Sequence, residues 1–253
     1  MSADVYLQNI LNREAVDTGI LSPVRGVQAA IQPVIAAWAG DKLLSVSPSG
    51  SFAKGTANMT GTDIDLFISL SEQTTETLRE VYNKLFNTMN EKGYNPIRQN
   101  VSVGIRVNGY SVDLVPAKRQ SIFASDHSLY RRRADTWTKT NVTTHIAHVG
   151  GSGRANEIRL VKLWRDQKGL DFPSFYLELT AINALAGQCF GTLSANVWKV
   201  FVYLRDRFPN ARVVDPANTN NIISDDLTVA ERALIKAAAE QALRATNWSQ
   251  IVI

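Results

Sequence analysis

The sequence has a single cysteine, no long apolar run and little net charge, and each shortage excludes a class of protein. Cys189 has no second cysteine to pair with among 253 residues, so neither an intramolecular disulfide nor a cysteine zinc cluster can form. We expect it to be a small buried residue. The sequence therefore excludes a disulfide-stabilised scaffold and favours a reducing, cytoplasmic location.

No apolar run approaches the roughly 18 residues that a membrane-spanning helix needs, and the first 17 residues carry acids within their apolar stretch, unlike a targeting peptide. The 27 Lys and Arg against 23 Asp and Glu leave a net charge of only +4. That excess is too small to require a nucleic-acid activator. A hydrophobic content of 45% is enough to bury a large core.

Helix and strand periods alternate in the first half of the chain. Asn108-Gly109 lies between two strand patterns and favours the type I′ turn of a hairpin, whereas Pro33 is expected to kink or shorten the helix that contains it. The predicted elements are a helix over 23–39, a strand over 63–70, a helix over 74–92 and a hairpin over 101–115.

From about residue 154 onward the patterns are helical. Thr228 and Glu231 have the spacing of a capping box at the start of the last helix. The sequence therefore predicts an α+β fold in two lobes, with residues 1–125 as the first and 126–253 as a helical second lobe, on which the N-terminal helix is free to pack.

Asp63 and Asp65 lie two residues apart on the predicted strand, so their side chains project from the same face. Such carboxylates suit a Mg²⁺ site, and Asp113 on a neighbouring strand would complete a site for two ions about 4 Å apart. The alternative is that Asp63 and Asp65 line the solvated face of an edge strand.

A Gly-Ser pair, Gly50 and Ser51, precedes these carboxylates. Glycine followed by a small hydroxyl residue at a helix start lets backbone N–H groups approach phosphate oxygens. It is not a Walker P-loop, because Lys54 precedes Gly55 and Thr56 instead of following a glycine.

The combined pattern resembles a known family. The chain resembles the DNA polymerase β nucleotidyltransferase superfamily in its signature, here GSFAKGT followed by TDIDLF. Within that superfamily, the chain is most similar to the branch that holds oligoadenylate synthases, cyclic GMP-AMP synthase and the bacterial CD-NTases. The resemblance extends to the family's third-carboxylate strand, here SVDLVPA, and to two helices of its second lobe, here RLVKLWRD and PSFYLEL. It also includes the family's Asp-Pro-Asn segment, here VVDPANTNNI. The resemblance implies a mixed sheet in the first lobe and an active site in the cleft between the lobes.

The resemblance also implies roles for individual residues. The three aspartates would bind two ions, Mg²⁺ or alternatively Mn²⁺, with Asp113 on the ion that activates the attacking hydroxyl. Gly50 and Ser51 would hold the phosphates of the donor nucleotide. Lys162 and Ser174 would contact the triphosphate from the second lobe, although a solvated helix face is the alternative for Lys162.

Other polar groups support less specific interpretations. His145 and His148 are three residues apart, but too few ligands accompany them for a metal site. Arg131 to Arg133 form either a solvated face or a contact to an anionic substrate. Phe175 and Tyr176 belong either to the core or to a nucleobase pocket.

The resemblance implies an enzyme that joins nucleoside triphosphates into a cyclic di- or trinucleotide messenger in bacterial anti-phage signalling, releasing pyrophosphate. A regulatory protein partner is compatible with it. Two alternatives remain open: a template-independent transferase acting on tRNA or protein, and a catalytically silent nucleotide-binding module.

Overall fold

A computed structural model describes residues 2–17, 19, 22–61, 63–188 and 191–253. The chain forms two compact units. The sheet unit comprises Asp17–Lys54 and Thr62–Ile146, and the helical unit comprises Met1–Val16, Gly55–Gly61 and Ala147–Ile253. Cys189 lies outside the described residues, so the interpretation of it as a buried residue stays a prediction.

The sheet unit contains the strand and helix patterns of the first half of the chain. Its helices are α2 (Pro23–Ala39), α3 (Gly50–Lys54) and α4 (Leu78–Glu91). Its strands are β1 (Leu43–Pro48), β2 (Ile64–Leu70), β3 (Ile97–Arg98), β4 (Val103–Val107), β5 (Tyr110–Arg119), β6 (His127–Arg131) and β7 (Thr136–Thr140).

These strands form one mixed sheet. The order is β1-β2-β5-β4-β3, with β6 paired to the far end of β5 and β7 paired to β6. The β2–β5 pair is parallel, and the other strand pairs of this sheet are antiparallel. The mixed sheet that the resemblance implied is therefore present, with β2 in its interior.

Local sequence signals explain where the elements begin and turn. Thr77 caps α4 and pairs reciprocally with Glu80, so the helix begins at Leu78, four residues later than predicted. Asn108 and Gly109 have φ values of 51° and 84°, as the predicted type I′ turn requires. The helix α2 extends over the whole predicted range, so Pro33 does not shorten it.

The helical unit contains α1 (Ala3–Arg13), α6 (Ala155–Gln167), α7 (Ser174–Ala184), α8 (Leu193–Asp206) and α9 (Val229–Leu243), with a small hairpin of β8 (Val214–Asp215) and β9 (Asn218–Ile222). Its core includes a group of buried aromatic rings from α6, α7 and α8 and the loops beside them: Trp164, Phe172, Tyr176, Phe201 and Phe208. The helix α5 (Val142–Gly150) contains the division between the two units.

The predicted lobe boundary after residue 125 differs from this division. Ala117 of β5 pairs with Leu129 of β6, and β6 pairs with β7. The sheet therefore continues to Thr140, and the sheet unit extends beyond residue 125. The strands β6 and β7 are only five residues long each, so their alternation was too short to be recognised in the sequence. The N-terminal helix α1 groups with the later helices, and so does the connecting segment Gly55–Gly61.

Among the described residues, no helix combines the length and the apolar character that crossing a membrane demands.

His127 is a buried histidine whose tautomer the structure defines. Its Nδ1 lies 2.9 Å from the Ser125 carbonyl oxygen, which can only accept, so Nδ1 carries the hydrogen. Nε2 therefore accepts from the Ser69 hydroxyl at 2.7 Å. Burial lowers the pKa of His127 from the usual value, because the cationic form loses its hydration.

We predict that His127 lowers the free energy of unfolding in mild acid. Because the folded-state pKa is depressed, stability is fully present above the unfolded pKa of about 6.5 and falls as the pH drops below it. Replacing His127→Gln should remove this component, whose slope approaches about 1.4 kcal/mol per pH unit. Denaturant unfolding at pH 7.5 and 5.5 measures it, with exposed His148→Gln as the control. An equal pH effect in wild type and His127→Gln would contradict the assignment.

Candidate functional site

Strand register brings two of the three predicted carboxylates side by side, and the third lies just before the same strand. Asp65 on β2 lies directly beside Asp113 on β5 in the parallel pair, and Asp63 precedes β2 by one residue. Neighbouring residues of paired strands point to the same face, and the strands are about 4.8 Å apart. Since β2 lies between β1 and β5, the edge-strand interpretation of the two acids is wrong.

The three negative charges oppose one another. The pKa of Asp113 is raised to about 6, first by its burial and then by the charges of Asp65 and Asp63. The polar side chains of Ser102 and Gln99 beside the carboxylate act in the opposite direction. A divalent cation between the carboxylates would relieve this repulsion, which makes the donor set appropriate for Mg²⁺ in type and in charge.

The geometry of the cluster differs from that of a preformed metal centre. Over the described part of the chain, no three His, Cys, Asp or Glu side chains are gathered as a ready metal-binding group. The aspartates thus fit a metal by oxygen chemistry, register and charge. Their assignment as metal ligands stays a prediction.

The predicted phosphate loop lies against Asp65. Gly50 begins α3 with φ at +55°, and the Ser49 N–H donates to the Asp65 carbonyl oxygen at 2.8 Å. A Cβ built on Gly50 would overlap the Asp65 carboxylate. Glycine is therefore required here for its backbone conformation and for the close approach. The turn that contains Gly50 and Ser51 is next to the first carboxylate, and its phosphate role stays a prediction.

A cavity of about 400 Å³ opens beside the carboxylates. Asp63 and Asp113 line one part of it, and the end of the sheet formed by β3 and β4 lines the rest. Residues contributing there are Tyr94, Ile97, Gln99 and Arg106. The sheet order places this cavity beyond Asp113, on the side away from β1 and the Gly50 turn.

Two residues that contact Asp113 were not predicted from the sequence. Gln99 Nε2 donates to Asp113 Oδ1 at 2.7 Å, and the Ser102 hydroxyl lies 3.4 Å from Oδ2. The signal that could have found them is Gly104, an isolated glycine within a strand pattern, which often marks a close approach. Its Cβ would lie 3.0 Å from Gln99 Nε2.

Lys162 lies in a buried network of the helical unit. Its Nζ is 2.6 Å from Glu178 Oε1 and 3.1 Å from Thr56 Oγ1, and the side chains of Lys162 and Glu178 are 6% and 0% exposed. The interpretation of Lys162 as part of a solvated helix face is therefore wrong. Its contact to triphosphate stays a prediction. Glu178, alone among apolar neighbours on α7, is a sequence signal for a buried charged partner.

Ser174 begins α7, as the sequence predicted for its helix. Its hydroxyl accepts a hydrogen bond from Arg165 Nη1 at 2.8 Å, and its triphosphate contact also stays a prediction. Tyr176 is fully buried against Phe172 and Phe208, so this ring belongs to the core. His148 is exposed and belongs to no metal-binding group that the described residues form.

Residues 40–135 match the family model described as a nucleotidyltransferase domain. The match covers the Gly50 turn, the three carboxylates and the strands that carry them. The predicted resemblance to the nucleotidyltransferase superfamily is confirmed.

Known proteins share both sequence and fold with this chain. The cyclic AMP-AMP-AMP synthase of Escherichia coli (strain MS 115-1) is 24% identical, over 69% of this chain and 67% of that protein. The structure of the E. coli MS115-1 CdnC:HORMA-deltaN complex has a TM-score of 0.76 at 20% identity, covering 96% of this chain and 89% of the other.

The cyclic dinucleotide synthase CdnE of Elizabethkingia meningoseptica, solved with GTP and Apcpp, has a TM-score of 0.75 at 14% identity, covering 97% of this chain and 100% of the other. At these identities the solved structures establish the fold alone. The α+β prediction and the resemblance to CD-NTases are confirmed.

We predict that Gly50→Ala displaces the Asp65 carboxylate. The added Cβ is strained at positive φ and overlaps the carboxylate, whereas Gly93→Ala meets the strain alone, because φ is +80° and no atom lies within 4 Å. Both variants should lose about 1–2 kcal/mol of stability from strain. Only Gly50→Ala should also lose nucleotidyl transfer, measured as pyrophosphate release. Equal activity in the two stable variants would contradict the close approach.

We predict that the Lys162–Glu178 pair is tightly coupled. Glu178→Gln leaves a buried ammonium without its carboxylate and should cost about 3–5 kcal/mol, measured by denaturant unfolding. The double variant Lys162→Met/Glu178→Leu should be less destabilised than Glu178→Gln. As a control, Glu76→Gln breaks the exposed pair with Lys84 and should cost about 1 kcal/mol or less. A double variant at least as unstable as the single one would contradict the coupling.

Proposed function

We propose that the protein is a metal-dependent nucleotidyltransferase that joins nucleoside triphosphates into a cyclic di- or trinucleotide and releases pyrophosphate. The observation that supports this most is the register that sets Asp65 beside Asp113, with the Gly50 turn packed on Asp65. A phosphate-binding turn next to paired carboxylates matches what phosphoryl transfer requires, namely positioning and charge neutralisation.

Each group has a proposed part in the reaction. Asp63, Asp65 and Asp113 hold two Mg²⁺ ions, for which Mn²⁺ can substitute. The bound ions supply charge neutralisation and lower the pKa of the attacking hydroxyl. Backbone N–H groups at Gly50 and Ser51 hold the phosphates of the donor. Asp113, which lines the cavity, orients the hydroxyl of the acceptor that occupies the cavity side.

The names of two relatives support extending the proposal to the substrate and the biological role. One relative is named for a cyclic trinucleotide of AMP, which makes ATP the first substrate to test. Another was solved as a complex with a HORMA protein, which supports a regulatory protein partner for this chain. We propose a messenger role in cytoplasmic anti-phage signalling.

The direct test is product analysis. The protein is incubated with each labelled nucleoside triphosphate and with all four, with Mg²⁺ or Mn²⁺, and the products are treated with phosphatase. A cyclic product resists phosphatase because it has no terminal phosphate, and mass spectrometry gives its size. Label found instead on added tRNA or on protein would favour the template-independent transferase.

We predict that Asp65→Asn abolishes most turnover while nucleotide binding persists. An amide is neutral and a weak metal ligand, so turnover should fall about 100-fold or more, as when a group that acts in the transition state is removed. Asp41→Asn is the control, because the Asp41 side chain is 82% exposed and pairs with Lys42. Nucleotide binding without any wild-type turnover would favour the silent binding module.

A further inference from the structure

We infer that Gln99 is a positioning residue for Asp113: its amide holds one carboxylate oxygen and leaves the other free to bind a metal ion. The inference rests on the proposed function, because it treats Asp113 as a metal ligand. It concerns residues of the sheet unit alone, in the loop between β3 and β4.

The hydrogen bonds define the direction of the Gln99 amide. Nε2 donates to Asp113 Oδ1 at 2.7 Å, and Oε1 accepts from the Ser102 hydroxyl at 2.9 Å. A reversed amide would put its oxygen against a carboxylate oxygen, where neither atom carries a hydrogen. Chemistry therefore permits one orientation.

The single hydrogen of the Ser102 hydroxyl decides the state of the second carboxylate oxygen. That hydroxyl is 2.9 Å from Gln99 Oε1 and 3.4 Å from Asp113 Oδ2, so the shorter bond goes to Gln99. Oδ1 is thus restrained by a strong charge-assisted bond, while Oδ2 retains lone pairs for a cation. The Gln99 amide therefore determines both the orientation of the Asp113 carboxylate and which of its two oxygens is available to a cation.

The loop that carries Gln99 is itself held by hydrogen bonds from Tyr82 and Arg132. The Gln99 carbonyl oxygen accepts from Tyr82 Oη at 2.9 Å and from Arg132 Nε at 3.0 Å. Tyr82 Oη also lies 3.0 Å from the Ser102 carbonyl oxygen, and the Tyr82 ring is fully buried on α4. The Arg132 N–H donates to the Asn100 carbonyl oxygen at 2.8 Å. Rigid support of this kind is what a ligand-orienting residue needs.

These contacts give the Arg131 to Arg133 run a role that the sequence did not predict. Arg132 anchors the loop of Gln99 through both its backbone and its guanidinium group. The Arg133 N–H donates to Asn100 Oδ1 at 3.1 Å. Arg132 and Arg133 therefore support the carboxylate site through the loop, rather than serving only as a solvated face.

Gly104 leaves the space that the Gln99 amide occupies. It pairs with Asp113 across β4 and β5, and an added Cβ would lie 3.0 Å from Gln99 Nε2 and 3.4 Å from Asp113 Oδ1. An alanine at 104 would push the amide and the carboxylate apart by a few tenths of an ångström. It provides a second test that removes no functional group and changes only the distance between two of them.

The experiment compares Mn²⁺ binding and turnover. Gln99→Met keeps the length of the side chain but removes the donor. We expect the apparent Kd for Mn²⁺, followed by electron paramagnetic resonance, to rise about 10–100-fold, and kcat to fall while KM for the nucleotide changes little. The matched control is Gln120→Leu, because Gln120 donates to the Ser128 hydroxyl on the exposed part of the same sheet. It should leave both quantities unchanged.

The outcomes separate the inference from the proposed function. If Gln99→Met loses only thermal stability, with unchanged Mn²⁺ affinity and kcat, Gln99 has a structural role and the inference is overturned. If that variant does not fold, Gly104→Ala must show the weaker Mn²⁺ binding, and wild-type values there would overturn it too. If wild-type protein neither binds Mn²⁺ nor transfers nucleotides, the proposed function fails and this inference with it.

Discussion

The repulsion among three neighbouring carboxylates is the constraint around which the site is arranged. The parallel register of β2 and β5 sets Asp65 beside Asp113, and burial together with the charges of Asp65 and Asp63 raises the pKa of Asp113 to about 6. An arrangement that disfavours its own ionisation suits a site whose charge is completed by divalent cations. The interior position of β2 keeps the two carboxylates in register, because strands on both sides hold it.

Two glycines make this crowding sterically feasible. Gly50 lets the turn after β1 lie against Asp65, and Gly104 leaves room for the Gln99 amide beside Asp113. Each carboxylate thus has backbone or amide contacts on the side that a side chain would otherwise fill. The same arrangement orders the site along the sheet, from the Gly50 turn through the carboxylates to the cavity at β3 and β4.

Local chemistry made much of the fold predictable from the sequence, but the long-range contacts of the site were not predictable in this way. The period of β2, the Asn108-Gly109 turn and the capping box of Thr228 and Glu231 each depend on neighbouring residues, and the structure has all three. The Gln99–Asp113 bond joins the loop between β3 and β4 to strand β5, a long-range contact that a single sequence does not specify.

The division between the two units falls later in the chain than the predicted lobe boundary, because β6 belongs to the sheet through its pairing with β5 and not through a strong period of its own. The candidate carboxylates were recognised because Asp63 and Asp65 lie two residues apart where the strand period of β2 begins. Their neighbours Gln99 and Ser102 are polar residues in a loop, a composition shared by many loops without any function.

Anomalous diffraction from crystals grown with Mn²⁺ and a non-hydrolysable nucleoside triphosphate would locate the metal ions and their ligands. We expect manganese peaks bound by Asp63, Asp65 and Asp113 at about 2.0–2.2 Å, with Oδ2 as the Asp113 ligand and Gln99 still bonded to Oδ1. Manganese bound away from these carboxylates, or a site formed without Asp113, would contradict this assignment.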